Sequence, residues 1–372
     1  MRRPIAFSLF LVLFLMGLAP LSFGATSGLD FLKLGIGARP LALGEAYVAI
    51  ADDINAIYWN PAGLVQLKLP EVGFTYNKWF EDIGYHFLGY GHPVNDSVFA
   101  ASIYYLGGGD IDGSDGEGSP IGDISAYDLA FAFSYGRKLT DKLSGGLTFK
   151  FIRENLDNEA GNAFAFDLSA LYKAVIDNLD LGFNVQNIGT GIKFIKDSAS
   201  LPLNYKFGLA YRLLFTYPLT FSLDFNKLNN EGGYFGLGAE CWITEYLALR
   251  IGHKFDTDVK DKVRVGLGLK AKNLRLDYAY TPHKILGDTH QFSFGFYFGR
   301  LEEKEEALRR EEAEAKMASL IASFYEEGMA YFAQERYVEA IGKFSEILLL
   351  DPENRTALNM MKEANRLLME RD

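Results

Sequence analysis

The sequence predicts an all-β transmembrane barrel of about 14 antiparallel strands, with an N-terminal segment that is not strand-like before it and a small α-helical module after it. Three observations favour this fold. Hydrophobic residues make up 49% of the chain and aromatic residues 15%, yet beyond the N-terminus no apolar run reaches the length of about 18 residues that a transmembrane helix needs. Segments of about 8 to 12 residues alternate between apolar and polar or small residues. The chain also begins like an exported protein.

The first element, residues 1–24, has the pattern of a signal peptide. Two arginines, Arg2 and Arg3, precede an apolar run from Ile5 to Leu21, and small residues follow. We expect cleavage after Gly24, with a retained transmembrane anchor as the alternative. The single cysteine, Cys241, is far from this point. We therefore expect neither an acylated N-terminus nor a disulfide within the chain.

The second element, residues 25–70, does not alternate like a strand. Its small residues at close spacing favour a short helix packed tightly inside a lumen, and Asn60-Pro61-Ala62-Gly63 predicts a turn, because proline fixes φ and glycine can take a positive φ. The residues that define this segment are Gly35, Gly37, Ala38, Arg39, Asp52, Asp53, Trp59, Asn60, Pro61 and Gly63.

The third element, residues 71–299, contains the predicted strands. In the clearest ones an apolar face such as Phe292, Phe294 and Phe296 alternates with a face of small or polar residues. Candidate strands begin near Glu71, Gly84, Ser97, Ile124, Lys142, Ala163, Asn178, Leu203, Pro218, Gly233, Glu245, Lys262, Asn273 and Thr289. An even strand count places both ends of the barrel on one side of the membrane.

The polar face separates a membrane barrel from a soluble sandwich. A sandwich exposes bulky polar side chains to solvent, whereas this face is rich in Gly, Ala and Ser with scattered charges, as a crowded lumen requires. The charges predicted to line the lumen are Asp224, Arg250, Arg264, Arg275 and Asp277. We expect these groups to form internal ion pairs. The connections should alternate between short periplasmic turns and long extracellular loops, such as Gly107 to Asp123 and Ile188 to Pro202.

The last element begins at residue 300, where the composition changes to strong helix formers and charges. We expect a charged helical linker over residues 300–320 and a module like a tetratricopeptide repeat over residues 321–372, with a generic helical hairpin as the alternative. The repeat spacing is carried by Phe324, Gly328, Tyr331, Ala340, Phe344 and Pro352. If the barrel ends face the periplasm, this module lies there and can bind a partner protein.

The run from Phe31 to Leu64 also resembles the N-terminal signature of the PorV/PorQ family, within the FadL-like group of outer-membrane barrels. The resemblance rests on the Gly-x-Gly-Ala-Arg start, the Ala-Asp-Asp centre and the Trp-Asn-Pro-Ala-Gly-Leu end. It implies that this segment forms a plug or hatch. It also implies either a role linked to the type IX secretion apparatus or, by the wider group, transport of a hydrophobic ligand. A continuous apolar path through the lumen, ending in a lateral gap between strands, would favour transport. A polar, fully plugged lumen would favour the interaction role.

Other chemistry has weaker signals. Asp110, Asp112 and Asp115 lie in an acidic loop that could wrap Ca²⁺, but this loop lacks the closing glutamate of an EF-hand, and a solvated loop is the alternative. The histidines are scattered, and His290 and Ser293 face opposite sides of one strand, so neither an enzyme nor a cofactor is predicted. The net charge of -11 disfavours a nucleic-acid partner. The expected partners are outer-membrane lipid and a periplasmic or secretion-machinery protein.

Overall fold

The computed structural model describes residues 29–78, 83–114, 117, 119–157, 159–194, 197–213, 215–229, 231–255, 263–283, 287–299 and 301–370. The chain divides into two compact units, with the boundary between Arg300 and Leu301. The predicted signal peptide, residues 1–24, lies outside the described residues.

The first unit is a closed antiparallel barrel of fourteen strands, as predicted. Strand β1 pairs with β16, Glu71 standing opposite Tyr297 and Lys78 opposite His290, so the sheet has no free edge. Two short strands, β8 and β9, form a separate hairpin between β7 and β10. The strands are β1 (Glu71–Lys78), β2 (Gly84–Val94), β3 (Ser97–Ser114), β4 (Pro120–Lys138), β5 (Leu143–Leu156), β6 (Glu159–Ile176), β7 (Leu179–Gly189), β8 (Ile192–Phe194), β9 (Asp197–Ala199), β10 (Asn204–Leu213), β11 (Leu219–Leu228), β12 (Gly233–Trp242), β13 (Leu247–Phe255), β14 (Arg264–Ala271), β15 (Leu274–His283) and β16 (Gly287–Tyr297).

Two predicted long loops are wrong in extent. The hairpin of β3 and β4 continues through Asp110 opposite Ser125 and Asp112 opposite Asp123, inside the stretch from Gly107 to Asp123 that was expected to be a loop. Backbone pairing needs no apolar alternation, so the sequence pattern ended before the strands did. The predicted loop from Ile188 to Pro202 contains the end of β7 and the hairpin of β8 and β9.

The barrel wall has the two predicted faces. Phe221 and Phe294 point outward and are 44% and 53% exposed, whereas Asp224 and Asp277 point inward and are buried. Turns such as Lys272–Asn273 connect the strands at the end where the chain enters β1 and leaves β16, which we call the short-turn end. The opposite end, which carries the β8–β9 hairpin, is the long-loop end.

Residues 29–69, which we call the plug segment, fill the lumen. They form a 3₁₀ turn (Asp30–Lys33), helix α1 (Ala38–Ala42), helix α2 (Ala56–Trp59) and a second 3₁₀ turn (Pro61–Gln66). Helix α1 packs on β13 to β16, and Pro61–Gln66 packs on β3 to β6 across the barrel. The single packed helix expected here is instead two short helices joined by turns. Gly44, with φ +65°, follows the first helix, and Pro61 follows the second.

The second unit consists of helices α3 (Leu301–Ala333), α4 (Tyr337–Leu350) and α5 (Arg355–Met369). Helix α3 runs without a break from Leu301 through the rest of the predicted linker, residues 300–320, into the predicted module. No helix in the described part of the chain is both long and apolar enough to cross a membrane.

Candidate functional site

Glycines in the barrel wall allow the plug segment to lie directly on the strands. A Cβ atom at Gly146 would lie 2.1 Å from the Ala62 amide nitrogen, and one at Gly182 would lie 2.3 Å from the Val48 carbonyl oxygen. Neither space is available to a side chain. The small inward residues noted in the sequence are therefore the positions at which the plug backbone contacts the wall.

Arg39 of helix α1 joins the plug segment to the barrel. Its Nε and Nη2 donate to the two carboxylate oxygens of Glu240 on β12, at 2.7 and 2.8 Å. Its Nη1 donates to Asp52 at 2.5 Å and to Asp53 at 3.2 Å, and also to the Tyr47 hydroxyl at 2.9 Å. Bidentate pairing of this kind fixes orientation as well as charge. One buried guanidinium group thus connects helix α1, the stretch at Asp52 and Asp53, and strand β12 inside the lumen.

The barrel wall extends this ion-pair network through two further arginines. Arg250 on β13 donates to Glu240 at 2.6 Å and to Asp277 at 2.7 Å. Arg275 on β15 pairs with Glu71 at 3.1 Å, with Asp53 at 3.2 Å and with Asp277 at 3.0 Å. Each of these groups is almost completely buried, so the pairs are little screened by solvent.

A second set of contacts holds the middle of the plug segment. Asp224 accepts hydrogen bonds from the backbone amides of Tyr47 and Val48, at 2.7 and 2.8 Å. Glu45 pairs with Arg264 on β14 at 3.0 Å and with Lys254 at 3.4 Å. The plug therefore presents its own polar groups to complementary groups on the wall.

The Trp59-Asn60-Pro61 motif is anchored on the opposite side. The Trp59 indole donates to the Ile36 carbonyl oxygen at 2.8 Å, and the Asn60 side-chain amide donates to the Val48 carbonyl oxygen at 2.7 Å. Asn60 Oδ1 accepts from the Ala62 amide, which begins the 3₁₀ turn as predicted from the Asn-Pro-Ala-Gly sequence. Lys206 of β10 lies over the Trp59 ring, with its Nζ 4.3 Å from the ring centroid.

A buried apolar cluster lies toward the long-loop end of the lumen. Leu29, Phe31 and Leu32 of the plug segment belong to a buried cluster with wall residues such as Phe87 and Tyr104. Ile192 of the β8–β9 hairpin belongs to the same cluster. This half of the lumen is filled by the chain's own residues.

All five predicted lumen charges face inward, where they form the internal pairs described above or, for Asp224, accept backbone amides. The other predicted plug residues also lie in this site: Gly37 has φ +88° beside Asn55, and Gly35 packs against Trp59. Sequence reasoning missed Glu240, Glu71, Glu45 and Lys206. Glu240 shares its parity with Gly236 and Gly238, so the alternation of β12 could have identified it.

The stretch that carries the calcium candidates is in part a strand. Asp110 and Asp112 belong to β3, so the backbone there is extended and paired instead of forming the predicted loop. Asp115 lies outside the described residues. Among the residues that the structure describes, no three His, Cys, Asp or Glu side chains group as metal ligands do.

The helical unit brings together most of the predicted packing residues. Ala340, Phe344 and Ile347 of α4 are buried against Phe324 and Tyr331 of α3. A Cβ atom on Gly328 would lie 2.8 Å from the Phe344 ring, so the two helices touch at this glycine. Pro352 lies in the turn between α4 and α5. On the surface, hydrogen bonds to Glu327 and Glu346 raise the pKa of Lys343.

The match that decides the family extends over the plug segment and more than half of the barrel. The family model described as "Type IX secretion system protein PorV" matches residues 23–231. The chain belongs to the PorV family. Together with the closed, lipid-facing barrel, this membership makes the protein an outer-membrane protein. The family description names a secretion component, and neither it nor the fold is that of an enzyme.

More distant likenesses agree with the fold. A "UPF0164 protein" of Treponema pallidum (strain Nichols) is 22% identical over 359 residues, covering 89% of this chain and 81% of the relative. Among solved structures, the toluene transporter TbuX of Ralstonia pickettii has a TM-score of 0.53 at 15% identity, covering 71% of this chain and 99% of that chain. The CymD monoaromatic hydrocarbon channel has a TM-score of 0.53 at 12% identity, covering 72% of this chain and 98% of that chain. These two structures therefore share the barrel fold with this chain.

Proposed function

We propose that this PorV-family barrel serves protein secretion or envelope assembly as a membrane-anchored docking protein, and that its helical unit binds a periplasmic partner. The observation that carries the proposal is the filled lumen. Arg39 ties the plug segment to Glu240, and the barrel is closed through β1 and β16. A barrel that is closed and filled by its own ion-paired segment is better suited to holding partners than to conducting a ligand.

The helical unit supports the docking role. Gly328 and Phe344 bring α3 and α4 into the close contact that a tetratricopeptide repeat requires at this spacing. One repeat cannot bury its surface alone, and α5 covers only part of it. Exposed apolar side chains such as Val338 and Leu349 remain, at 64% and 83% exposure. We therefore infer that the unit is a tetratricopeptide-like module with surface left for a partner.

The topology supports a periplasmic position for this module. The chain leaves the barrel after β16 at the short-turn end, and barrels of this class keep their short turns in the periplasm. The module would therefore meet periplasmic components of a secretion or assembly machine. Outer-membrane lipid would surround the exposed aromatic and aliphatic side chains of the wall.

Transport of a hydrophobic molecule is the alternative function. It is favoured by the apolar cluster toward the long-loop end, in which Leu29 and Phe31 are buried together with Phe87 and Tyr104. Transport would require this segment to leave and the ion pairs around Arg39 to open. Hydrocarbon bound in purified barrels would favour this function.

The test compares partners captured from detergent-solubilised outer membranes. Three baits are used: the full chain, a chain ending at Arg300, and a full chain with Gly328→Leu, which should separate α3 from α4. We expect the same secretion or envelope proteins to co-purify with the full chain and to be lost from both variants. Gly342→Leu is the matched control, because a side chain there meets open space. Equal capture by these three baits and by the control would refute docking through the helices.

A further inference from the structure

Two cavities lie side by side in the barrel mouth at the short-turn end. The first, which we call the cationic cavity, has a volume of about 270 Å³ and is lined by Arg212, Thr220, Arg250, Lys270, Arg275 and Tyr297, among others. The second, which we call the apolar cavity because most of its surface is apolar, has a volume of about 520 Å³. It is lined by Thr216, Tyr217, Pro218, Trp242, Ile243, Thr244, Glu245 and Lys270. Trp242 and Lys270 line both cavities, so the two are adjacent.

Strand register explains why the cations meet here. Arg212 stands opposite Thr220 across β10 and β11, and Thr220 stands opposite Glu240 across β11 and β12. Lys270 stands opposite Arg275 across β14 and β15. All these residues have inward parity near the same ends of their strands, so the barrel brings them around one opening.

The carboxylates that line the cationic cavity are already engaged. Both oxygens of Glu240 accept hydrogen bonds from Arg39, and one of them also accepts from Arg250. Asp52 is bound by Arg39 through Oδ1. The negative charge in the cavity wall is therefore matched by guanidinium groups that belong to the plug-wall network.

Some hydrogen-bond donors that line the cationic cavity, by contrast, have no acceptor in the described part of the chain. Lys270 and Thr220 have no side-chain hydrogen bond or ion pair with any residue that the structure describes. Arg212 uses Nη1 on Asp180, a carboxylate that also pairs with Lys173 at 2.9 Å. Arg250 Nη2 is buried without a hydrogen-bond partner in the described part of the chain. Buried or half-buried donors without acceptors are costly unless a ligand or water satisfies them.

We propose that this mouth binds a small apolar carboxylate, with its carboxylate group at Lys270, Arg212 and Thr220 and its apolar group against Trp242 and Pro218. Lys270 is the one lining cation without an anionic partner among the described residues, which matches a ligand of one negative charge. The adjoining apolar cavity is the reason for expecting an aromatic or branched aliphatic group on the carboxylate ligand. The volume of the apolar cavity, about 520 Å³, lies in the range of pockets that bind small molecules.

The experiment measures binding by isothermal titration calorimetry to the full chain in detergent. Benzoate is the probe, and benzamide is its uncharged counterpart of the same shape. We expect benzoate to bind about tenfold or more tightly than benzamide, because the hydrogen bonds to Lys270 and Arg212 are charge-assisted. Equal binding of benzoate and benzamide would overturn the carboxylate assignment. Inorganic phosphate binding as tightly as benzoate would overturn the apolar half of the site.

Variants locate the site. Lys270→Met should weaken benzoate about tenfold, Lys270→Arg should restore it, and Thr220→Val should weaken it several-fold. Lys272→Met is the matched control, since Lys272 lies two residues away in a turn and lines neither cavity. If Lys272→Met and Lys270→Met lose binding equally, the effect is not local and the proposal fails. N-acetylphenylalaninate, which mimics the C-terminus of a peptide, distinguishes the two possible sources of the carboxylate. If it binds more tightly than benzoate, the ligand is a peptide terminus. If it binds more weakly, the ligand is a free small acid.

Discussion

At the scale of single residues, Arg39 concentrates more of the plug-wall contact than any other side chain described above. Its partners Asp52, Asp53 and Glu240 lie on two separate parts of the chain, the plug segment and β12. Breaking a buried ion pair by removing one partner leaves an uncompensated charge, which costs far more than the pair itself contributes. The stability of the plugged state is therefore most sensitive at this residue.

Arg39→Met should loosen the plug segment while leaving the strand pairing intact. Loss of the guanidinium group leaves Asp52 without its arginine and Glu240 with Arg250 alone, at a cost of at most about 3–5 kcal/mol. We expect the folded barrel to convert to the unfolded form at a lower temperature in gel mobility assays, and residues 29–69 to exchange amide hydrogens faster.

Arg137→Met is the control for this prediction, because Arg137 is exposed on β4, away from the lumen. It should unfold like the unsubstituted chain. Unchanged exchange in Arg39→Met would mean that the glycine-lined packing alone holds the plug.

At the scale of elements, the plug segment and the wall fit because the wall lacks side chains where the plug backbone approaches. This fit is steric and does not depend on charge. Gly146 is the tightest example, with the Ala62 amide and the Ser169 hydroxyl both within 2.5 Å of where its Cβ would be. The neighbouring Gly145 faces the other side of the wall, where a Cβ would meet only Leu139 side-chain atoms at 3.3 Å or more.

Gly146→Val should therefore displace the plug segment, whereas Gly145→Val should not. We expect planar-bilayer recordings to show ion conductance through Gly146→Val barrels and a closed barrel for the unsubstituted chain and for Gly145→Val. Silent Gly146→Val barrels that are correctly inserted would contradict the steric account, since a valine cannot occupy the space without moving Ala62.

The helix pair α3 and α4 offers a second matched pair of glycines. Gly328→Ala places a methyl group 2.8 Å from the Phe344 ring, whereas Gly342→Ala places one in open space. The first should destabilise the helical unit, and the second should stabilise it by about 0.5–1 kcal/mol through helix propensity. Hydrogen exchange in Tyr337–Leu350 of the full chain measures both. If Gly328→Ala lowers the stability of the helical unit and Gly342→Ala raises it, the close contact at Gly328 is supported. If both substitutions change the stability in the same direction, the close contact is contradicted.

At the scale of the whole molecule, the strands could be predicted from the sequence, but the ion pairs inside the lumen could not. The fourteen strands could be predicted because lipid outside and a crowded lumen inside impose one alternation, seen clearly at Phe292 and Phe294. The partner of Arg39 could not be predicted, since Glu240 lies 201 residues away and only the closed register brings them together. The β3–β4 hairpin was underestimated because its Gly and Asp residues carry no apolar signal.

The division of the chain into two compact units predicts that the barrel folds without the helices. All strand partners and all plug contacts discussed above belong to the unit that ends at Arg300, and the core of Phe344 and Ala340 belongs wholly to the other. A chain ending at Arg300 should insert into the outer membrane and unfold within a few degrees of the full chain in gel mobility assays. Its partners in capture experiments should nevertheless be lost. A barrel that fails to insert without its helices would instead make the helical unit part of barrel assembly, and capture by the Gly328→Leu chain would then be the decisive measurement of docking.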